Sequence, residues 1–311
     1  MEILSLVGAL AVGCFCFHAL ATIASHVFLN SVKGHVVLVT GCDRGLGKQM
    51  CMHLAEKGMK IFAGCLTERG CSELSKEANS DRVLPFVMDV TVAASVTNAR
   101  KFVLSNLASD ERLNAIVNNA GVAGNCYVEF MPVATLKKTM DVNYMGVVRV
   151  CKEFLPMLVE SKGRVVNMIS PAAFQATPGM ADYSASKAAA NAFSDALRKE
   201  MFPFGVKVAQ LLPGFMRTEM VMSNSSELQK NYKNASEDVK ERYSSALVEQ
   251  NKKLNAMAEA LSGPSSQILP HLDHALSSKF PKAFYYIGWD TRFVYLPLMF
   301  LTRLVGYDNI H

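Results

Sequence analysis

Hydrophobic positions in this chain fall into short unbroken runs, separated by longer stretches in which they recur every three or four residues. The runs are HVVLVTG (35–41), KIFAGCL (60–66), VLPFVMDV (83–90), LNAIVNNAG (113–121), GRVVNMIS (163–170) and VKVAQLLPG (206–214). Continuous rather than alternating apolar character is what strands show when helices cover both faces of a parallel sheet. The stretches between predict helices: one ending at Gly58, then SVTNARKFVLSNL (95–107), TLKKTMDVNYMGVVRVCKEFLPMLVES (135–161) and DYSASKAAANAFSDALRKEM (182–201). Strand and helix alternate, so the expected fold is α/β, a doubly wound parallel sheet in a three-layer sandwich, built as a single domain over 31–290.

Three segments depart from that rhythm. From Ile3 to Leu29 there is no Asp, Glu, Lys or Arg. As a helix this stretch is about 40 Å long, more than the ~30 Å of a hydrocarbon core. A secretory signal has a charged start and a shorter apolar core, whereas Glu2 is the only charge here. Residues 1–30 are therefore expected to be a transmembrane anchor. Lys33, just after it, points to a cytoplasmic catalytic part, and the sequons at Asn224 and Asn234 bear only on a lumenal one. The apolar stretch Phe293–Tyr307 is too short to span and contains Arg303. Residues 291–311 are expected to lie on a membrane surface or to cap a substrate cleft. The polar stretch Ser223–Lys253 reads either as a solvated helix pair or as a substrate lid, the lid taken as 215–260.

Composition then narrows the function classes. The 311 residues carry a net charge of +5 with no dense Lys/Arg cluster, which argues against a nucleic-acid surface. Eight cysteines lie mostly in apolar segments without CxxC spacing and read as free buried thiols. The seven histidines lack metal-ligand spacing, His271 and His274 reading as an isolated pair on a helix surface. No metal site is expected.

In a doubly wound sheet, ligands bind at the carboxyl ends of the strands. After the first strand comes TGCDRGLG (40–47), with glycines at 41, 45 and 47 and Arg44 in its middle. Glycines let backbone approach a pyrophosphate, whose charge the following helix N-terminus favours. After the fourth strand comes NNAG (118–121), which in isolation would be a capped turn. After the fifth comes Ser170, then Tyr183 and Lys187 one helical turn apart on one face. A phenol with its ordinary pKa of about 10 is a poor base near neutrality. An adjacent ammonium favours phenolate, so Lys187 is expected to lower the pKa of Tyr183. Ser170 can donate to an oxygen that alternates between alcohol and carbonyl, which makes Ser170 and Tyr183 the substrate contacts.

Taken in order, TGCDRGLG, NNAG, Asn143, Ser170, YSASK and Pro213–Gly214 resemble the short-chain dehydrogenase/reductase family over roughly residues 33–290. The resemblance implies a Rossmann-type sheet with Tyr183 as general acid/base and Ser170 orienting the substrate oxygen. Lys187 would lower the Tyr183 pKa and bind the nicotinamide ribose, and Asn143 would support a water in the proton relay. The cofactor contacts it implies are Gly41, Asp43, Arg44, Gly45, Leu46 and Gly47 of the first turn, with Cys65 and Leu66 after the second strand. Asp89 and Val90 follow the third strand, Asp89 reaching adenine. Asn118, Ala120 and Gly121 follow the fourth, and Pro213, Gly214 and Thr218 the sixth, beside Tyr183 and Lys187.

Finer wording, TGCD, AGCLTERG, LNAIVNNAGV, FLPMLVESKGRVVNMIS and DHALSSKFPKAFYYIGWD, is similar to the membrane-bound branch of that family. This branch contains retinol dehydrogenases, 17β- and 3α-hydroxysteroid dehydrogenases and the (R)-3-hydroxybutyrate dehydrogenase. One departure is ISPAAF after the fifth strand, where Pro171 and Phe174 would stiffen and fill a wall of the pocket.

The implied reaction is hydride transfer between a nicotinamide cofactor and a hydrophobic alcohol or carbonyl substrate, a retinoid or hydroxysteroid. The branch suggests NAD, while Arg44 before Gly45, with no Asp at the tip of the second strand, favours NADP. The expected partners are a membrane and the small substrate, with a homodimer compatible and nucleic acid excluded. The expected location is the endoplasmic reticulum, with the mitochondrial inner membrane as the alternative. Two other readings stay open. A hydroxy-acid dehydrogenase would need a cation for the substrate carboxylate, which the sequence does not place. A catalytically silent membrane or lipid-droplet scaffold has the intact Ser170, Tyr183 and Lys187 set against it.

Overall fold

The computed structural model describes residues 27–124, 126–217, 224–243 and 262–305, with single positions 249, 253, 256 and 260. β1 (Val36–Thr40), α1 (Gly45–Glu56), β2 (Lys60–Cys65), α2 (Glu68–Ala78), β3 (Val83–Val87), α3 (Ala93–Ser105) and β4 (Leu113–Asn118) form the first half. In the second, α4 (Val133–Met140) runs through a π-turn, Asp141–Met145, into α5 (Gly146–Ser161), followed by β5 (Arg164–Met168), α6 (Ala181–Met201) and β6 (Lys207–Pro213). Then come α7 (Asn224–Lys233), α8 (Glu237–Arg242), α9 (Ile268–Ser277), β7 (Phe284–Ile287), a second π-turn, Thr291–Tyr295, and α10 (Leu296–Val305).

The strands form one sheet in the order β3-β2-β1-β4-β5-β6-β7, every pairing parallel. All five residues of β1 are buried. Val37 and Val39 share one buried cluster with Met50, Leu54, Ile268 and Leu272 on one face of the sheet; Val36 and Leu38 share another with Val96, Phe154 and Leu197 on the other. This double coverage is the physical origin of the unbroken apolar runs. The expected doubly wound fold is the observed one.

Three elements escaped the hydrophobic pattern. α2 buries only Gly70 and Leu74, too few positions to set a helical period. α9 mixes His271, Asp273 and His274 into its apolar face. β7 is an edge strand of four residues whose burial alternates, so it lacks the continuous run of its neighbours. The helix expected over 135–161 is real but broken at the π-turn, a local widening that often marks a functional site.

The six cysteines among the described residues are free, five of them buried and Cys71 partly so. His274 corrects the expected surface pair: it is 8% exposed, and its Nδ1 lies 2.7 Å from the Tyr285 hydroxyl. No helix among the described residues is long and apolar enough to cross a membrane. Of the expected anchor, residues 1–26 lie outside the described residues, as do Thr218 and 306–311.

Candidate active site

In the sheet β1 has β2 on one side and β4 on the other, so the chain reverses its winding there and opens a crevice at the carboxyl ends. Thr40, the last residue of β1, is 2% exposed, and its Oγ1 accepts from the backbone N–H groups of Asn119 and Ala120, both at 3.1 Å. The Asn119 side-chain amide returns the contact, donating to the carbonyls of Thr40 at 2.9 Å and Gly41 at 3.0 Å. Four hydrogen bonds thus lock NNAG to the glycine turn.

That turn is shaped for close approach. Gly41 has φ +72, and a Cβ there would come within 2.8 Å of the Ala120 Cα. A Cβ on Gly47 would strike the Gly41 carbonyl oxygen, whereas over Gly45, with φ +59, nothing lies within 4 Å. Backbone on one side and open space on the other is what a pyrophosphate at a helix N-terminus requires. An open cavity of about 300 Å³ lies there, lined by Gly45, Lys48, Gln49, Met52, Arg217 and Ser265. Arg44 is exposed and extended at the start of α1; Leu46 is half-buried beside it.

The carboxylate of Asp43 is directed to the β2–α2 turn. It accepts from the Leu66 N–H at 2.7 Å, the Thr67 N–H at 3.0 Å and the Thr67 hydroxyl at 2.8 Å. It therefore fixes the position of Cys65 and Leu66 relative to the glycine turn. Asp89 likewise closes its own turn, its Oδ1 accepting from Thr91 N–H and hydroxyl, while Val90 is buried. The Asn118 amide turns into the sheet and donates to Asn167 Oδ1 at 2.8 Å, leaving Asn118 Oδ1 buried without a hydrogen-bond partner.

Ser170, Tyr183 and Lys187 come together as the sequence spacing expected. Ser170 sits just beyond β5, its hydroxyl accepting from the Ala172 N–H at 3.2 Å and close enough to Tyr183 to lower the pKa of that phenol. Lys187 is 5% exposed; its Nζ donates to the Met168 carbonyl at 2.7 Å and lies 5.7 Å from the centre of the Tyr183 ring. A Cβ on Gly121 would be 3.7 Å from that Nζ and 3.4 Å from Asn143 Oδ1, which brings NNAG, Asn143 and Lys187 to one point. The electrostatics correct one expectation. Burial raises the pKa of Tyr183, only partly offset by the hydrogen bond with Ser170, and burial pushes Lys187 down to about 8. Desolvation dominates both shifts, while the Lys187 Nζ donates to the Met168 carbonyl.

Asn143 is fully buried in the π-turn. It accepts from the Val122 N–H and donates to the Val122 carbonyl, both at 2.8 Å, and donates to the Ser186 hydroxyl at 2.9 Å. Ser186 donates in turn to the Tyr183 carbonyl at 2.7 Å. Asp182, also fully buried, accepts from the Gly124 N–H and the Thr139 hydroxyl. These bonds hold the 121–124 segment against the start of α6 and set where Tyr183 points. Thr40, Asn119, Asp182 and Ser186 lie within or beside the motifs quoted above, but nothing in their spacing singles them out.

On the far wall, Gly214 has no room for a side chain because the carboxylate of Asp290 occupies it, accepting from the Phe215 N–H at 2.7 Å. Asp290 ends the quoted stretch DHALSSKFPKAFYYIGWD, but nothing in its spacing assigned it this contact. Phe174 is partly buried and packs on a cluster of Ile169, Ala190 and Leu212, its ring 6.5 Å from that of Phe284. The stretch between β6 and α9 begins and ends at a bridge between Met216 and Gly263. Within it α7 and α8 pack on the loop after β4, Leu228 meeting Cys126 and Tyr243 meeting Tyr127 and Phe130, while Arg242 pairs with Glu129. At the other rim Tyr295 lies against Phe215, ring centres 6.3 Å apart.

The profile of the family described as short chain dehydrogenase matches residues 35–229. Retinol dehydrogenase 16 of Rattus norvegicus is 35% identical over 277 residues, covering 88% of this chain and 86% of that protein. 17-beta-hydroxysteroid dehydrogenase type 6 of Bos taurus is 35% identical over 286 residues, covering 90% and 89%. Among solved structures, a short chain dehydrogenase from Burkholderia cenocepacia in complex with NADP superposes with a TM-score of 0.66 at 25% identity, covering 90% of this chain and 97% of that one.

Proposed function

Because this chain belongs to the short-chain dehydrogenase family, we propose that its cleft interconverts a hydrophobic alcohol and its carbonyl, with a retinoid or hydroxysteroid as substrate. It is an NAD(P)-dependent alcohol dehydrogenase. The observation that carries the reading is the meeting of Ser170, Tyr183, Lys187 and Asn143 at the mouth of the crevice that the glycine turn closes from the other side. The substrate class follows the curated relatives named above, together with the aromatic groups Tyr127, Phe130, Phe215 and Tyr295 at the rims.

The residues present fit a dinucleotide. Gly41, Gly45 and Gly47 leave backbone bare at a helix start, and the side chain of Asn118 keeps one oxygen orphaned at the end of β4. Gly45, Leu46 and Gly47 would hold the pyrophosphate, Asp89 and Val90 would border the adenine, and Lys187 would hold the ribose hydroxyls. When bound, the nicotinamide accepts or returns a hydride at C4, and its oxidised form brings a positive charge that favours phenolate nearby.

The protein's share is orientation and proton placement. Ser170 donates to the substrate oxygen and holds it at the Tyr183 hydroxyl. In oxidation the Tyr183 oxygen takes the hydroxyl proton; in reduction it returns one. Lys187 remains close enough to stabilise the charged phenol, and Asn143 keeps the 121–124 backbone in register with it. Residues 215–260 act as a lid hinged at the Met216–Gly263 bridge, and α10 caps the cleft beside Phe215. Residues 1–30 anchor the enzyme in the endoplasmic reticulum membrane, an assignment supported by the uncharged run Ile3–Leu29.

The test is a turnover screen of the purified full chain with all-trans-retinol, 17β- and 3α-hydroxysteroids and 3-hydroxybutyrate, each with NAD and with NADP. Turnover of a retinoid or steroid alcohol supports the reading. Turnover of 3-hydroxybutyrate alone, or of nothing, contradicts it.

A further inference from the structure

The amino ends of the strands, opposite the active site, carry a feature the reaction does not use. Four turns enter β1, β5, β6 and β7 there, at residues 27–35, 162–164, 202–207 and 278–283. They contain Lys33, Lys162, Arg164, Lys207, Lys279 and Lys282 and no Asp or Glu. The turn entering β4, which lies between β1 and β5, carries Asp110 and Glu111 beside Arg112, and the turn entering β3 at the far edge carries Asp81 beside Arg82. The surplus of cations without acids is greatest over β5, β6 and β7, and the segment entering β1 joins it through its contacts with the turn before β7.

The four turns touch one another. Lys279 N–H donates to the Phe28 carbonyl at 2.8 Å, and Asn30 N–H to the Ser277 carbonyl at 2.8 Å. Lys207 Nζ donates to the Lys279 carbonyl at 2.5 Å, and its backbone N–H to the Gly163 carbonyl at 3.0 Å. Like charges crowd: burial and then Arg164 and Lys279 hold Lys207 below the usual lysine value, and burial with Arg164 lowers His35. Among these cations aromatic rings stand out in solvent, Phe28 at 54% exposure, Phe202 at 81%, Phe204 at 53% and Phe280 at 52%. Phe28 and Phe280 meet edge to face, 6.3 Å between centres, and Lys279 lies 5.8 Å from the Phe280 ring. Aromatic rings among lysines, without acids, are the composition of a surface that sinks into a headgroup layer.

The chain itself says what covers this face. The uncharged run Ile3–Leu29 leads directly into it, and its last residues, Val27, Phe28 and Leu29, are exposed there. A bilayer that received that run would lie against these turns. We infer that the turns entering β1, β5, β6 and β7 are a membrane-contact face, docking the catalytic domain on an anionic phospholipid surface through Phe28, Phe202, Phe204 and Phe280 with their flanking lysines. The inference rests on the anchor reading for residues 1–30. It orients the enzyme, with the strand carboxyl ends and Tyr183 pointing away from the bilayer. Acidic headgroups supply the counter-charge that the turns themselves lack.

The chain's single tryptophan, Trp289, lies just past the carboxyl end of β7 and is 46% exposed, so it reports on the opposite end. The full chain is reconstituted into vesicles of phosphatidylcholine and phosphatidylserine with brominated acyl chains, and tryptophan quenching is read for the unaltered protein, F204W/W289F and F280W/W289F. The probes at 204 and 280 are expected to be quenched several-fold more than Trp289. Their quenching is expected to weaken when phosphatidylserine is omitted, or when K279E/K282E is added to F204W/W289F. Quenching of Trp289 equal to or above that at 204 and 280 overturns the inference, placing the bilayer at the other end. Flotation with the vesicles without quenching at 204 and 280 overturns the docking face alone. Failure to float at all removes the anchor reading and the face with it.

Discussion

Lys187 donates from Nζ to the Met168 carbonyl at 2.7 Å, tying the catalytic turn of α6 to the last residue of β5. The bond aligns the two elements that carry Tyr183 and Ser170. It also takes an ammonium into a site where burial pushes its pKa down to about 8.

A stability profile follows from that burial. The unfolded lysine titrates near 10.4, so between about pH 8 and 10.4 the unfolded chain holds a proton the folded one has lost, and stability rises with pH across that window. Below about pH 8 both states are protonated and the penalty of the buried charge is fully present. Urea melts at pH 7 and pH 10 should show wild type gaining about 2 to 3 kcal/mol relative to Lys187→Met. No relative gain contradicts the buried ammonium.

Gly47 and Gly45 differ in what surrounds them. Gly47→Ala must displace the Gly41 carbonyl and the Asn119 amide, whereas Gly45→Ala meets only the strain of its positive φ. Calorimetric titration should show Gly47→Ala weakening cofactor binding by at least roughly tenfold and destabilising the fold by about 1–3 kcal/mol. Gly45→Ala should cost about 1 kcal/mol in stability. Equal cofactor affinities in the two variants would remove the cradle from this turn.

Arg44 stands exposed at the start of α1, immediately before the open side of Gly45. A guanidinium bond to the 2′-phosphate of NADP is a charge-assisted one, so Arg44→Ser should lower the ratio of kcat/KM for NADP(H) over NAD(H) by about tenfold or more. An unchanged ratio contradicts this role.

Asn143 makes three hydrogen bonds from a fully buried amide, two to Val122 and one to Ser186. Asn143→Ala should destabilise by about 2–3 kcal/mol and reduce kcat more than it raises KM. Ser186→Ala, which leaves the Val122 pair intact, should cost about 1 kcal/mol. Thermal melts and steady-state kinetics on both variants check the order, and reversed costs contradict the bracing role.

How much of this was legible in the sequence follows from what leaves a mark on it. Strands covered on both faces must be apolar throughout, so β1, β2, β4, β5 and β6 stood out; β3 at one edge was readable from its apolar run although Val87 is exposed, while the four-residue β7 at the other edge, with alternating burial, was not. Chemistry that needs fixed spacing within one element, Tyr183 and Lys187 on α6, was readable as well. Positioning contacts made across the fold were not. Asn119 reaches the Gly41 carbonyl 78 positions away and Asp290 reaches the Phe215 N–H 75 positions away. The direction of the Tyr183 shift also escaped, because burial is a property of the assembled site.

The central claim is that the Tyr183 oxygen carries the proton that accompanies hydride transfer. Steady-state turnover of Tyr183→Phe against wild type, with a retinoid or hydroxysteroid accepted by the wild type and saturating cofactor, tests it most directly. Loss of kcat by at least about a hundredfold, with cofactor affinity retained, is the predicted result. Near-full activity in that variant would contradict the account.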